Sequence, residues 1–160
     1  MDKPVITKEE IEAYEGITKT HFLNEKAVRK NKSLGDLVGI TGFGFHLVEL
    51  EPNAETSQQH LHHYEDECVY VLQGEATAYV GDEEFTLREG DFIGYPAGGK
   101  AHNIVNTSNS VFKCIVVGQR LDHEVVDYPK LGKRLFCNNG MPYNLVSKSE
   151  IEEPELGKKV

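Results

Sequence analysis

The chain has 160 residues, enough for one domain with a sizeable core, and 39% hydrophobic with 27% charged residues is an ordinary composition for a globular protein. Its formal net charge is −9, since 17 Lys and Arg stand against 26 Asp and Glu. A chain this acidic lacks the electrostatic footprint for binding nucleic acid or an anionic membrane, so we expect neither as a partner.

Cellular location is suggested by what the sequence lacks. The amino-terminal stretch MDKPVITKEE has no apolar core of the kind that a signal peptide needs. No apolar run approaches the roughly 18 residues that are required to cross a bilayer. Cys68, Cys114 and Cys137 show no CxxC spacing, which indicates free thiols in a reducing compartment. We therefore expect a cytoplasmic protein.

One short helix is predicted near the amino terminus. Thr7 and Glu10 have the T-x-x-E spacing of a capping box, and the apolar residues Ile11 and Tyr14 follow them. This pattern predicts a helix over residues 7–15. Helical periodicity is scarce beyond it, and the stretch NKSLGDLVG at 31–39 is typical of loop and turn.

Strand patterns then recur through the middle of the chain. Gly81-Asp82 is a two-residue hairpin signal between two of the predicted strands. The predicted strands cover residues 42–50, 68–73, 76–80, 84–87, 91–95, 102–106 and 111–117. Many short strands with frequent turns predict an all-β fold, an antiparallel sandwich or barrel. The polar tail from Asn138 onward is expected to form one helical turn or to lie along the surface.

A histidine cluster in the stretch QQHLHHYEDECVYVLQG is the strongest chemical signal. Side chains at positions i and i+2 of a strand point to the same face, so His60 and His62 can converge on one ion, whereas His63 points away. Three acids follow, Glu65, Asp66 and Glu67. A solvent-exposed loop rich in histidine and acid explains the same residues, because H-x-H is short and common.

The position of each acid relative to the following strand favours one of the three as a ligand, and a histidine later in the chain is a fourth candidate. If ECVYVL is a strand, Glu67 lies at its start on the face of Val69 and Val71, while the two other acids lie in the connecting loop. His102 follows the Pro- and Gly-rich turn GYPAGGKA at the start of another predicted strand. Imidazole and carboxylate ligands favour a divalent first-row metal, Fe, Mn, Ni, Co or Zn.

The same residues resemble the two motifs of the cupin superfamily. The first, G(X)5HXH(X)3–4E(X)6G, is matched by His60, His62, Glu67 and Gly74, although Asn53 stands in the usual Pro-Gly turn and the leading glycine is missing. The second motif, G(X)5PXG(X)2H(X)3N, is matched by the residues Gly90, Pro96, Gly98, His102 and Asn106. Three residues precede the histidine of the second motif where two are usual, which puts its position in question.

The resemblance implies a fold, an assembly and a site. It implies a cupin jelly roll, or double-stranded β-helix, of the single-domain bacterial type, which is often a homodimer. Residues 31–120 would form the jelly roll, 1–30 a helix and arm, and 121–160 an extension that packs on the barrel or surface. One divalent metal would lie inside the barrel, held by the set His60, His62, Glu67 and His102.

Further residues are expected beside this site. His46 shares a strand face with Val48 and could line a cavity near the metal, although a core or interface role explains it equally well. Tyr79 and Tyr95 could donate to a ligand in the barrel, but strand tyrosines usually serve packing. Asn106 is expected to organise the turn that orients His102. No residue is identified as catalytic, and no P-loop, GxSxG motif or cofactor-binding motif is found.

Two classes of function remain open. The first is a metal-dependent enzyme that acts on a small polar metabolite, a sugar or organic acid, as an isomerase or epimerase, dioxygenase or decarboxylase. The second is a non-catalytic module that binds a small molecule or a metal, which the absence of a clear general base keeps open. A metal-free sugar epimerase is disfavoured, because a full set of four ligands would have no purpose there.

Overall fold

The computed structural model describes residues 3–155 and 157. Within them the chain forms thirteen strands: β1 Ile17–His21, β2 Asn24–Ser33, β3 Phe43–Leu50, β4 Leu61–His62, β5 Glu67–Gln73, β6 Glu75–Val80, β7 Glu83–Arg88, β8 Phe92–Tyr95, β9 His102–Val105, β10 Phe112–Gln119, β11 His123–Tyr128, β12 Lys133–Asn138 and β13 Asn144–Ser147. The helices are α1, Lys8–Ala13, and α2, Leu34–Leu37. The predicted all-β class with a short amino-terminal helix is therefore confirmed.

The strands form three sheets in which every pairing is antiparallel. The largest has the order β1-β2-β3-β10-β5-β8, and the others are β13-β12-β11-β4 and β7-β6-β9. Neighbours that are distant in sequence, such as β3 and β10, pair as they do in a jelly roll. This arrangement brings β4, β5 and β9, which carry three of the four predicted ligands, to one cavity, and His60 directly precedes β4.

Helix α1 begins at the capping box that its sequence predicts. The Thr7 hydroxyl accepts a hydrogen bond from the Glu10 backbone N–H, and the Glu10 carboxylate accepts one from the Thr7 N–H. Each interaction satisfies an amide at the start of the helix that has no partner within the helix. Among the described residues, no helix is long and apolar enough to cross a membrane.

The main core lies between the large sheet and the β7-β6-β9 sheet. Val69 and Val71 of β5 are buried, whereas Tyr70 and Leu72 are exposed, which agrees with the predicted strand phase. The core residues are Val48, Leu50, Val69, Val71, Ala76, Ala78, Leu87, Tyr95, Ile104, Phe112 and Cys114. The Gly81-Asp82 hairpin pairs Val80 with Glu83, as expected.

Residues 17–33 differ from the expected amino-terminal arm. They form β1 and β2, which extend the large sheet. In β2 the inward side chains of Arg29 and Asn31 face a polar cavity rather than an apolar core. The alternation of apolar and polar residues that identifies a half-buried strand is therefore missing. The domain boundaries at residues 30 and 120 stay predictions.

The carboxyl-terminal region forms three strands besides the helical turn that was one of the two expectations for the tail. Strands β13, β12 and β11 pair in that order, and β11 also pairs with the short β4, which carries His62. A single 3₁₀ turn follows at Lys148–Glu150. This sheet has a small core formed by Val126, Tyr128 and Leu135. The C-terminal strands thus reach the segment that contains the histidine cluster.

Candidate metal centre

Backbone pairing brings the second-motif histidine to the first motif. The His60 N–H donates to the His102 carbonyl at 3.1 Å, and the His102 N–H donates to the His60 carbonyl at 2.7 Å. His62, two residues after His60, lies on β4, and Glu67 is the first residue of β5. The four predicted ligands therefore come together in space from three strands and a bridge.

The inserted residue before His102 does not move that side chain away from the cluster. Gly98 has a positive φ of 69°, and its N–H donates to the His62 carbonyl at 2.8 Å. The Gly99 N–H closes a turn onto the Pro96 carbonyl at 3.0 Å. The extra residue is accommodated in this turn, and Lys100 binds Glu83 at the surface.

The proton positions of the three histidines follow from their surroundings. His60 Nδ1 lies 2.9 Å from the Gln58 carbonyl oxygen, and His102 Nδ1 lies 3.3 Å from the Lys100 carbonyl oxygen. His62 Nδ1 faces carboxylate oxygens of Glu65 and Glu124 at 3.8 and 3.9 Å. The carbonyl oxygens favour the tautomers of His60 and His102 that carry the proton on Nδ1, and the Ser57 hydroxyl also lies 3.2 Å from His60 Nδ1. In these tautomers Nε2 is unprotonated and can bind a metal.

The unprotonated nitrogens point at one another and at a carboxylate. His60 Nε2 lies 3.1 Å from His62 Nε2, and His102 Nε2 lies 3.5 Å from a Glu67 carboxylate oxygen. His102 Nε2 is buried and has no hydrogen-bond partner among the described residues. When these nitrogens are unprotonated, their lone pairs and the carboxylate can all bind one cation. The donor set therefore fits a divalent metal ion, and these four residues would hold it.

The ionisation of the cluster matches that requirement. Burial, followed by the neighbouring charge of His102, lowers the pKa of His60 to about 3, so its ring is neutral near pH 7. Burial alone would raise the pKa of Glu67, but the histidines around it, His102 foremost, lower this pKa to about 2. A neutral imidazole and an ionised carboxylate are the forms that bind metals.

Two further carboxylates lie behind His62. The groups of His62, Glu65 and Glu124 come within 4.8 Å of one another and could in principle hold an ion themselves. The Glu124 oxygens, however, accept hydrogen bonds from the N–H groups of the loop residues His63, Tyr64 and Glu65 and of Val125. Glu65 also accepts one from the Leu121 N–H at 2.7 Å. Because both Glu124 oxygens already accept hydrogen bonds, this carboxylate is better suited to orient the His62 ring than to bind metal.

Replacing Glu124 with glutamine tests that role. The variant keeps the shape but loses the charge behind His62 Nδ1, and we expect metal affinity to fall roughly 10- to 100-fold. Competition with a chromophoric chelator measures the affinity, and far-ultraviolet circular dichroism checks the fold. Glu75→Gln, at an exposed ion pair with Arg88, is the matched control and should leave affinity unchanged. Equal affinity of a folded Glu124→Gln variant would exclude the orienting role.

A cavity of about 280 Å³ opens onto the cluster. His46 and Tyr95 line it, as expected, but Tyr79 does not. Tyr79 projects from the face of β6 opposite to the buried Ala78, so the expectation for this tyrosine is corrected. The lining residues are Lys19, His21, Arg29, Asn31, His46, Val48, Thr56, Ser57, His60, His62, Glu67, Val69, Tyr95, His102, Asn103, Ile104 and Val116.

The two expected wall residues are held in different ways. The Tyr95 ring stacks on the His102 ring, with centroids 3.6 Å apart and an interplanar angle of 3°. Its hydroxyl is buried and has no hydrogen-bond partner among the described residues. His46 Nδ1 lies 2.9 Å from the Ser33 hydroxyl. Burial, and then the charge of Arg120, lower the pKa of His46, so this ring is neutral near pH 7.

Asn106 organises the loop after β9, whereas the sequence analysis expected it to organise the turn that orients His102. Its side chain is fully buried and donates to the carbonyls of Leu50 and Ser110 at 2.9 and 2.8 Å. Its amide oxygen accepts from the Ser108 N–H and hydroxyl. It fixes the loop after β9 and does not line the cavity.

The sequence analysis missed the cationic wall of the cavity. Lys19 and His21 come from β1, and Arg29 comes from β2. The inward face of β2 is formed by Ala27, Arg29 and Asn31. Only the first of these is apolar, so the sequence shows no alternation of apolar and polar residues from which a strand could be predicted. The carboxylate of Glu124 was missed as well, since it lies about sixty residues beyond the loop that it binds.

Comparisons with known proteins agree with this geometry. The family model for the cupin domain matches residues 46–118. A candidate sugar phosphate isomerase from Acidithiobacillus ferrooxidans is 46% identical, with a TM-score of 0.93 over 96% of this chain and 98% of the other. A sugar phosphate isomerase of the cupin superfamily from Silicibacter pomeroyi is 28% identical, with a TM-score of 0.76 over 88% and 90%.

A more distant comparison supports the fold alone. A conserved cupin barrel protein from Salinispora arenicola is 18% identical, with a TM-score of 0.51 over 57% of this chain and 76% of the other. No curated protein matches the sequence.

Proposed function

This chain belongs to the cupin superfamily, and from that premise we propose that it is a metal-dependent isomerase of a small sugar with adjacent carbonyl and hydroxyl groups. One observation carries the proposal: the pair His60 Nε2–His62 Nε2, 3.1 Å apart, and the pair His102 Nε2–Glu67 carboxylate, 3.5 Å apart, line the same cavity. The two relatives named as sugar phosphate isomerases, one of them as a candidate, support the reaction class.

The metal would be held by His60, His62, Glu67 and His102. When bound, a divalent ion supplies Lewis-acid polarisation of a carbonyl oxygen. Four protein ligands are fewer than the six of an octahedral ion, which leaves room for substrate oxygens. The donor set suits Fe, Mn, Ni, Co or Zn alike, so the identity of the metal stays open.

Isomerisation between an aldose and a ketose moves one proton between adjacent carbons and another between their oxygens. The neutral His46 ring, positioned by Ser33, is suited to take and return the carbon-bound proton. Burial raises the pKa of the Tyr95 hydroxyl, so it keeps its proton and can donate a hydrogen bond to a substrate oxygen. Both side chains line the cavity and are free of the proposed metal set.

Solvent exchange tests this reaction class without knowledge of the natural sugar. Metal-loaded protein is incubated in D₂O with a panel of aldose and ketose phosphates, and proton NMR follows deuterium at the carbon next to the carbonyl. We expect metal-dependent exchange and interconversion of at least one pair. Oxygen consumption without deuterium exchange would contradict the isomerase and identify an oxygenase. Saturable sugar binding without turnover would contradict it and identify a binding module.

A homodimer is part of the same proposal. Tyr70, Phe92 and Ile115 are in register across β8, β5 and β10, and the first two are 44% and 66% exposed. An apolar patch on an outer sheet face is typical of a protein–protein interface. Sedimentation equilibrium should therefore give twice the 17.9 kDa mass of one chain. The mass of a single chain at micromolar concentration would contradict the dimer.

A further inference from the structure

Arg29 is a half-buried cation that forms no salt bridge among the described residues. It projects from β2 into the cavity, and its guanidinium makes one hydrogen bond among the described residues, to the Thr56 carbonyl oxygen. No carboxylate oxygen of the described residues lies within 4.0 Å of it. A guanidinium has five N–H donors and stays charged, so most of its hydrogen-bonding capacity is unused. A guanidinium that is partly removed from water and makes one hydrogen bond is well suited to bind an anion.

A second cation lies beside Arg29. Lys19 of β1 is directly opposite Arg29 in the antiparallel pair, so the two side chains share one face of the sheet. Both line the cavity. Like charges directly opposite each other in a sheet are destabilising. An anion between them would relieve the repulsion.

The charge balance of the cavity points the same way. Lys19 and Arg29 oppose a single lining carboxylate, Glu67, which belongs to the proposed metal set. A divalent ion on that set would make the cavity still more positive. Two adjacent cations, one of them a planar guanidinium, suit a phosphate dianion better than a neutral hydroxyl or a single carboxylate.

We propose that Arg29 and Lys19 form an anion subsite that takes the phosphate group of a phosphorylated sugar, with the carbonyl end of the sugar directed to the histidine cluster. The assignment rests on the proposed function for the identity of the sugar, but not for the binding of phosphate itself. Arg29 is a specificity-determining residue in this scheme. The guanidinium can form two parallel hydrogen bonds to one phosphate group, and the flexible Lys19 closes over it as a point charge.

Titration calorimetry with inorganic phosphate tests the subsite directly. Both metal-loaded and chelator-treated protein are used, because phosphate could also bind the metal. We expect Arg29→Gln to weaken phosphate binding at least 10-fold in both forms, and Lys19→Gln to weaken it by a smaller factor. Lys30→Gln is the matched control, since Lys30 adjoins Arg29 on β2 but is exposed and does not line the cavity. Wild-type protein that binds no phosphate would overturn the subsite.

The same variants distinguish phosphate binding at the subsite from catalysis of the proposed isomerisation. With metal-loaded protein, Arg29→Gln should raise KM for an aldose phosphate at least 10-fold and leave KM for the unphosphorylated aldose unchanged. An equal rise for both sugars would show that Arg29 acts through Glu67 or the fold, and would overturn the assignment. Phosphate binding that depends on Arg29 in a protein without isomerase activity would support the subsite and contradict the proposed function. Lys19 is exposed, so Lys19→Gln keeps the test valid if Arg29→Gln fails to fold.

Discussion

Replacement of both His60 and His62 by alanine is expected to remove the divalent metal from this protein and to leave a folded chain. The double variant keeps only Glu67 and His102 of the proposed set, which are too few to hold a first-row ion at ordinary concentrations. Metal content should fall from about one equivalent per chain to less than a tenth, as expected for a tetrahedral or octahedral site with two ligands gone. Elemental analysis of untagged protein purified without added metal measures this directly.

The unliganded fold should tolerate the double substitution. Both rings line the cavity and neither belongs to the apolar core, so their removal enlarges the cavity and leaves the core packing intact. The control is His123→Ala, which removes an exposed histidine that bonds only Asn138 among the described residues. A full equivalent of metal in the folded double variant would refute the proposed ligand set. Loss of metal from the control as well would indicate a non-specific effect.

The second large effect is expected at Asp127, on β11. Its carboxylate binds Arg134 through two hydrogen bonds of 2.6 and 2.9 Å, and it also contacts Lys148 at 3.0 Å and His63 at 3.2 Å. The side chain is only 5% exposed. Asp127→Asn removes the charge that these side chains share, and because Arg134 and Lys148 keep contact with water the expected loss is about 2 kcal/mol of unfolding free energy. Urea denaturation at pH 7 measures the loss.

The same carboxylate gives the stability a defined pH dependence. The hydrogen bonds from Arg134 hold the pKa of Asp127 well below its usual range. A depressed pKa in the folded state means that the contribution is complete above the unfolded pKa of about 3.9. It is lost as the pH falls below that value toward the folded pKa, because the unfolded chain then binds the proton more readily.

Urea denaturation midpoints measured between pH 3 and pH 6 therefore distinguish Asp127→Asn from the wild-type protein. Wild-type stability should decline more steeply than that of Asp127→Asn below about pH 4, so that the two curves approach each other. Asp82→Asn, at the exposed hairpin turn, is the control and should follow the wild type. Parallel curves would show that Asp127 contributes no linked proton, and the ion-pair explanation would then be wrong.

Strands with one apolar face were predictable from the amino-acid sequence. In β5 the alternation of Val69 and Val71 with Tyr70 and Leu72 matches burial in the structure residue by residue. Burial of the apolar face fixes which side of the strand points to the core. The alternation of residue types in the sequence shows this face even when the neighbouring strands are unknown. The ligand spacing could be recognised for a similar reason: H-x-H places two rings on one face wherever a strand forms.

Strands that line the cavity could not be predicted in this way. Arg29 and Asn31 point inward although they are polar, because the interior on that side is a ligand cavity and not an apolar core. β4 is only two residues long, and its pairing with β11 depends on a strand that lies far along the chain. Local patterns carry no information about either fact.

By itself the sequence determined the all-β class, the capped helix at Thr7, the phase of the core strands and the residue types suited to a metal, since each depends on local spacing or side-chain chemistry. Only the tertiary structure decided that His102 meets His60 despite the inserted residue, that Glu124 lies behind His62, and that Lys19 and Arg29 share the cavity wall. Those contacts join segments far apart in sequence, and their geometry depends on how the sheets pack around the cavity.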